Sequence, residues 1–93
     1  MAYSIETFPE FEEDYKRLCS KNRAFKNEVD NKIRQICNSL KINPNHYKPL
    51  GGPLTGLRRV HIGGSFVLLF KVVEPSEIVK LVKLEHHDKA YKV

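Results

Sequence analysis

Long apolar runs are missing from this chain: the longest uninterrupted one is Phe66-Val67-Leu68-Leu69-Phe70, far short of the roughly 20 residues that a membrane-spanning helix needs. The start, Met1-Ala2-Tyr3-Ser4-Ile5-Glu6, has no basic segment leading into an apolar one, so no secretory signal is expected and the protein is placed in the cytoplasm, with no membrane partner. Cysteine is scarce. Cys19 and Cys37 are the only two, with no C-x-x-C pair, and both fall within helix-like apolar patterns, as small core residues do; a zinc site or disulfide framework is not expected. No G-x-S-x-G turn for a serine hydrolase occurs, and Gly51-Gly52 lacks the following G-K-[ST] of a phosphate loop. Internal repeats are absent.

What is present is 93 residues and 10.8 kDa, enough for one domain, 1–93, since domains usually need roughly 100 residues. A chain this short buries only about 60–65% of its unfolded surface, so its core is modest. The net charge is +5 and the pI about 9.3. Residues 1–40 are close to neutral, and 41–93 carry most of the excess. A positive field on one half favours nucleic acid, an acidic protein partner, or both.

Tyr3–Thr7 alternates and predicts a short strand. Thr7-Phe8-Pro9-Glu10 fits a capping box, with the Thr7 hydroxyl accepting an orphan N–H, Glu10 reaching back and Pro9 in the first turn. Phe8, Phe11, Tyr15 and Leu18 then follow at spacings of three and four, opposite Glu12, Glu13, Lys16 and Arg17. A second helix, from about Arg23 to Lys41, carries Phe25, Val29, Ile33, Ile36, Cys37 and Leu40 on one stripe, and Asn43-Pro44-Asn45 stops it. Strands are expected at Leu57–Ile62, Ser65–Val72 and Ile78–Leu84, with Gly63-Gly64 and Glu74–Glu77 as turns. The fold class is α+β, in the order β-α-α-β-β-β: a helical hairpin packed on one face of a small, mainly antiparallel sheet. Asn43–Gly56 is a connecting loop or flap.

Alternation along a strand puts Val60 and Ile62 on the face toward the helices, and Arg59 with His61 on the uncovered face, roughly 7 Å apart. On spacing alone a wet polar face, ordinary in antiparallel sheets, accounts for that pair better than chemistry does. The ending Glu85-His86-His87-Asp88-Lys89-Ala90-Tyr91, taken to follow an edge strand, puts two histidines, a carboxylate and a tyrosine within seven residues. His87 and Tyr91 are spaced to share one face of a helical turn, although Tyr91 could equally dock the tail and His86 be a surface imidazole. Asn45, His46 and Lys48 in the loop complete the candidates, with Arg58 and Lys83 as further cations. Scission of RNA fits cations, histidines and a tyrosine without a metal or other cofactor. The 2′-hydroxyl is a built-in nucleophile, so the protein needs a base, an acid and fixed positive charge on the phosphorane. Imidazole serves either of the first roles, and an aromatic face can stack a base.

The element order, the segment Lys48-Pro49-Leu50-Gly51-Gly52-Pro53-Leu54-Thr55-Gly56-Leu57-Arg58-Arg59-Val60-His61-Ile62 and the ending His86-His87-Asp88-Lys89-Ala90-Tyr91 resemble the RelE/ParE superfamily of toxins of type II toxin–antitoxin systems, especially its YafQ/RelE branch. That resemblance implies a RelE-like fold and metal-independent cleavage of messenger RNA on the ribosome. By position, His61 and His87 match the branch's histidines, Arg59 matches the first member of a lysine pair in RelE, and Tyr91 matches a terminal aromatic. These four are the catalytic candidates the resemblance implies; Lys48, Arg58, His86 and Lys83 are the phosphate-binding ones. Lys48 stands where the branch has a loop histidine, Ser65 where it has an aspartate, and Val67 where RelE has an arginine. The implied partners are an acidic antitoxin of the RelB/DinJ kind, the ribosome and mRNA, with DNA met only through the antitoxin complex. Two other functions stay open: a ParE-type toxin that inhibits DNA gyrase by binding, and a family member that only binds its antitoxin. The His61/His87/Tyr91 set disfavours the former; the departures at Lys48, Ser65 and Val67 give weight to the latter.

Overall fold

The protein's structure, a computed structural model, describes residues 3–51 and 56–90. Along the chain lie β1 (Ser4–Thr7), α1 (Pro9–Cys19), α2 (Arg23–Ile42), β2 (Arg58–Ile62), β3 (Phe66–Val73), β4 (Ile78–His86) and a final turn of helix, α3 (His87–Ala90). The strands form one sheet in the order β1-β4-β3-β2. β2, β3 and β4 make the expected antiparallel meander, while β1 runs parallel to β4 with Thr7 beside Leu81. β4 is therefore interior for its first half, and not the edge that the ending was taken to follow.

The capping box does not form. Phe8 is the N-cap of α1, extended at φ −87° and ψ 152° with no side-chain cap, and Pro9 opens the helix. Thr7 is still in the ladder with β4, Phe8 N–H donates to Leu81 O at 2.9 Å, and the Thr7 hydroxyl bonds Glu12. Strand pairing holds the chain extended one residue too long for Thr7 to cap. α2 has the cap that α1 lacks: the Asn22 side chain accepts from Phe25 N–H at 3.0 Å, satisfying a donor with no intrahelical partner.

Both helices turn their stripes to the same face of the sheet. Phe11 and Cys19 from α1 and Val29, Ile36 and Leu40 from α2 join Ile62, Leu68, Phe70, Val79, Leu81 and Leu84 in one buried cluster, with Tyr15, Leu18, Phe25, Ile33 and Cys37 packed against it. Cys19 is buried and Cys37 half-buried, which is the core role the sequence suggests. β3, the middle strand of the meander, is buried on both faces: Val67 and Leu69, which alternate with the cluster residues, are also enclosed. In register, Arg59 is opposite Leu69 and His61 opposite Val67. Those two polar residues are exposed, but the row behind them is dry. Gly63 takes a positive φ of 61° in the three-residue connection from β2 to β3, where a Cβ is disfavoured. No helix among the described residues is long and apolar enough to cross a membrane.

Candidate active site

Two strands and one short helix assemble the site. β2 points His61 away from the helices, because Val60 and Ile62 on either side are drawn toward the core. β3 carries the chain back past it, with Val67 as the neighbour of His61 and Glu85 of β4 as the next residue in the same row. A register shift between Leu69 and Phe70 keeps Lys83 and Glu85 on the face that carries Arg59 and His61. At the end of β4, His87 N–H donates to Ser65 O at 2.7 Å, which ties the start of α3 to the connection between β2 and β3. The result is a stack: the rings of His61 and His87 lie 6.0 Å apart, centroid to centroid, at an interplanar angle of 27°. Residues 26 positions apart thus present their imidazoles at one exposed spot.

His86 faces another way. Its ring meets Phe66 edge-on at 5.6 Å, and its Nδ1 accepts from Asp88 N–H at 3.3 Å, so His87 is the one brought to His61. The Asp88 carboxylate lies 3.5 Å from His87 Nδ1 and 3.9 Å from His86 Nδ1. Arg59 is exposed in β2, two residues from His61. Arg58 points to the other face and donates to Pro44 O at 3.1 Å, holding the loop rather than facing the stacked rings. Lys83 is gripped between two carboxylates, Glu85 at 3.0 Å and Asp14 at 3.3 Å. Burial lowers its pKa, but those carboxylates outweigh burial and leave it above the usual lysine value. Its charge is already largely compensated. Lys48 is exposed in the loop, whose neighbour Tyr47 packs edge-on against Phe70 at 5.3 Å. Tyr91, and the loop residues Gly52, Pro53, Leu54 and Thr55, lie outside the described residues.

This arrangement sits on a known scaffold. A family model described as the ParE toxin of type II toxin–antitoxin systems, parDE, matches residues 5–91. A Methanocaldococcus jannaschii protein named "Putative toxin RelE4" is 37% identical over 90 residues, covering 97% of this chain and 92% of its own. The chain belongs to the ParE toxin family, within the RelE/ParE superfamily. Among solved structures, YafQ from Escherichia coli strain BL21(DE3) superposes with a TM-score of 0.72 at 20% identity, covering 97% of this chain and 99% of that one. YafQ in the E. coli DinJ–YafQ toxin–antitoxin complex gives 0.71 at 20% identity, covering 99% and 100%. At that identity the likeness is one of fold.

Two residues of this RelE/ParE chain matter to the site and carry no motif. Glu85 shares the row of His61 on the β4 side. Asp14 is 4% exposed, the one buried charged side chain among the described residues, and it accepts from Arg17, Lys83 and Leu84 N–H. Its spacing held the signal, since Asp14 falls three after Phe11 and four before Leu18, inside the apolar stripe of α1.

Proposed function

We propose that this protein is an mRNA-cleaving toxin acting on the ribosome, in which His61 and His87 divide the work of general acid and general base. The observation that carries this reading is the exposed pair of imidazoles 6.0 Å apart, on a face that also bears Arg59. One ring takes the proton of the 2′-hydroxyl as it attacks phosphorus, the other gives a proton to the departing 5′-oxygen, and Arg59 with Lys48 stabilises the pentacoordinate phosphorane. The products are a 2′,3′-cyclic phosphate and a 5′-hydroxyl. Tyr91 orients or stacks the substrate, whereas His86, turned to Phe66, is left out of the acid–base pair. An acidic antitoxin is the proposed partner, supported by the complex of the like-folded YafQ with DinJ and by the +5 charge of this chain.

Translating ribosomes incubated with the protein should yield new 5′-hydroxyl ends within mRNA. His61→Ala and His87→Ala should each lower the rate by about 100-fold or more, the ordinary worth of a general acid or base, and should relieve growth arrest while still binding antitoxin. Full toxicity in both variants would overturn the assignment. The family description favours a second reading, a ParE-type toxin that acts by binding DNA gyrase without cleaving RNA. That reading requires growth arrest with no new 5′-hydroxyl ends and no effect of either histidine substitution.

A further inference from the structure

β1 ends at Thr7, beside Leu81, and Phe8 N–H makes the last backbone bond across that side of β4. β4 then runs on through His86 with β3 on one side and, among the described residues, no strand on the other. An open sheet edge leaves alternate N–H groups facing outward, and one that is buried needs a partner. Leu84 is fully buried, and its N–H finds Asp14 Oδ2 at 3.1 Å. Lys83 Nζ reaches the same oxygen at 3.3 Å, and Arg17 Nη2 reaches Oδ1 at 2.9 Å. On the opposite side, β3 pairs with residues 83–86 and Ser65 O takes His87 N–H. The stretch Leu84–His87 is thus gripped from both flanks, by a strand on one and by a single carboxylate on the other.

We propose that Asp14 is a positioning residue: its carboxylate replaces the missing neighbour strand and fixes the end of β4, so that the His87 ring meets His61. Its consequence for catalysis rests on the reading of those histidines as acid and base; its consequence for geometry does not. Displacing a reacting group by about 1 Å is enough to cost about 100-fold in rate. Asp14→Ala removes the acceptor, and Asp14→Glu moves it by one methylene, whereas Asp14→Asn retains an oxygen that can accept from Leu84 N–H.

The test combines single-turnover mRNA cleavage on ribosomes with NMR of the full chain. Asp14→Ala should lower kcat about tenfold or more at little-changed KM, Asp14→Asn should stay within about threefold of wild type, and Asp30→Ala, which removes the acceptor shared by Lys26 and the Tyr15 hydroxyl, should leave kcat unchanged. In Asp14→Ala, amide exchange at Leu84 should quicken while Ile36 stays protected, and cross-relaxation between the His61 and His87 rings should vanish. If Asp14→Ala does not fold, Asp14→Glu carries the same comparison. Wild-type exchange at Leu84 and an intact ring contact in the folded Ala or Glu variant would overturn the proposal. So would a kcat loss matched by Asp30→Ala. A wild-type protein that cleaves nothing refutes the proposed function instead, and the exchange and ring-contact measurements still decide whether Asp14 positions His87.

Discussion

Single side chains tie α1 to α2 through one carboxylate. Asp30 accepts from the Tyr15 hydroxyl at 2.7 Å and from Lys26 Nζ at 2.9 Å. Burial pushes its carboxyl up, but the bonds from Lys26 and Tyr15 outweigh burial, and the pKa falls below the ordinary 3.8. Tyr15 moves the opposite way, raised by burial and then by its bond to the same carboxylate. A carboxyl depressed in the folded state adds stability that is present above its unfolded pKa and lost as pH falls through the folded one. Asp30→Asn should therefore unfold at lower denaturant than wild type at pH 7, and the gap should close as pH drops below about 4. A gap that persists unchanged at pH 2 would mean that the carboxylate's charge is not what Tyr15 and Lys26 hold. The wet setting of this ion pair keeps its effect small.

At the scale of the elements, the two helix starts make opposite predictions from similar residues. Asn22 caps α2 and Thr7 caps nothing. Asn22→Ala should cost about 1 kcal/mol in urea unfolding, whereas Thr7→Ala should stay within about 0.5 kcal/mol of wild type. Equal losses would contradict the assignment of the caps. The same contrast shows what could be read in advance. Helical periodicity reports burial over many residues, so α2 was legible to within a residue at its end, and alternation in β2 set the faces of Arg59 and His61. The capping box failed because a four-residue pattern cannot report that Thr7 is still paired with Leu81, 74 positions later. The extension of β4 to His86 was hidden for the same kind of reason: Glu85 and His86 carry little strand propensity and are held in place by Val67 and Phe66. Asp14 was visible as a carboxylate in an apolar stripe, but its purpose depends on an N–H 70 residues away.

Over the whole molecule, charge and topology divide the labour. The first forty residues are near neutral and supply the helical cover; the basic remainder supplies β2, β3 and β4 and the face with the paired imidazoles. Single-stranded RNA bound on that face should show affinity that falls with salt, the slope growing by about 0.7 for each phosphate neutralised. Lys48→Gln should reduce the slope by about that amount while leaving the fold unchanged; an unaltered slope would remove Lys48 from the RNA path. Acid–base work by the two imidazoles requires the mRNA's own 2′-hydroxyl as the nucleophile. The most direct measurement places a single 2′-O-methyl group on the nucleotide 5′ to the cut, in an mRNA programmed into ribosomes. Wild-type protein should leave this message intact while cutting the unmodified one to a cyclic phosphate and a 5′-hydroxyl. Cleavage of the blocked message at the same position, leaving a 5′-phosphate, would rule out the 2′-hydroxyl as the nucleophile.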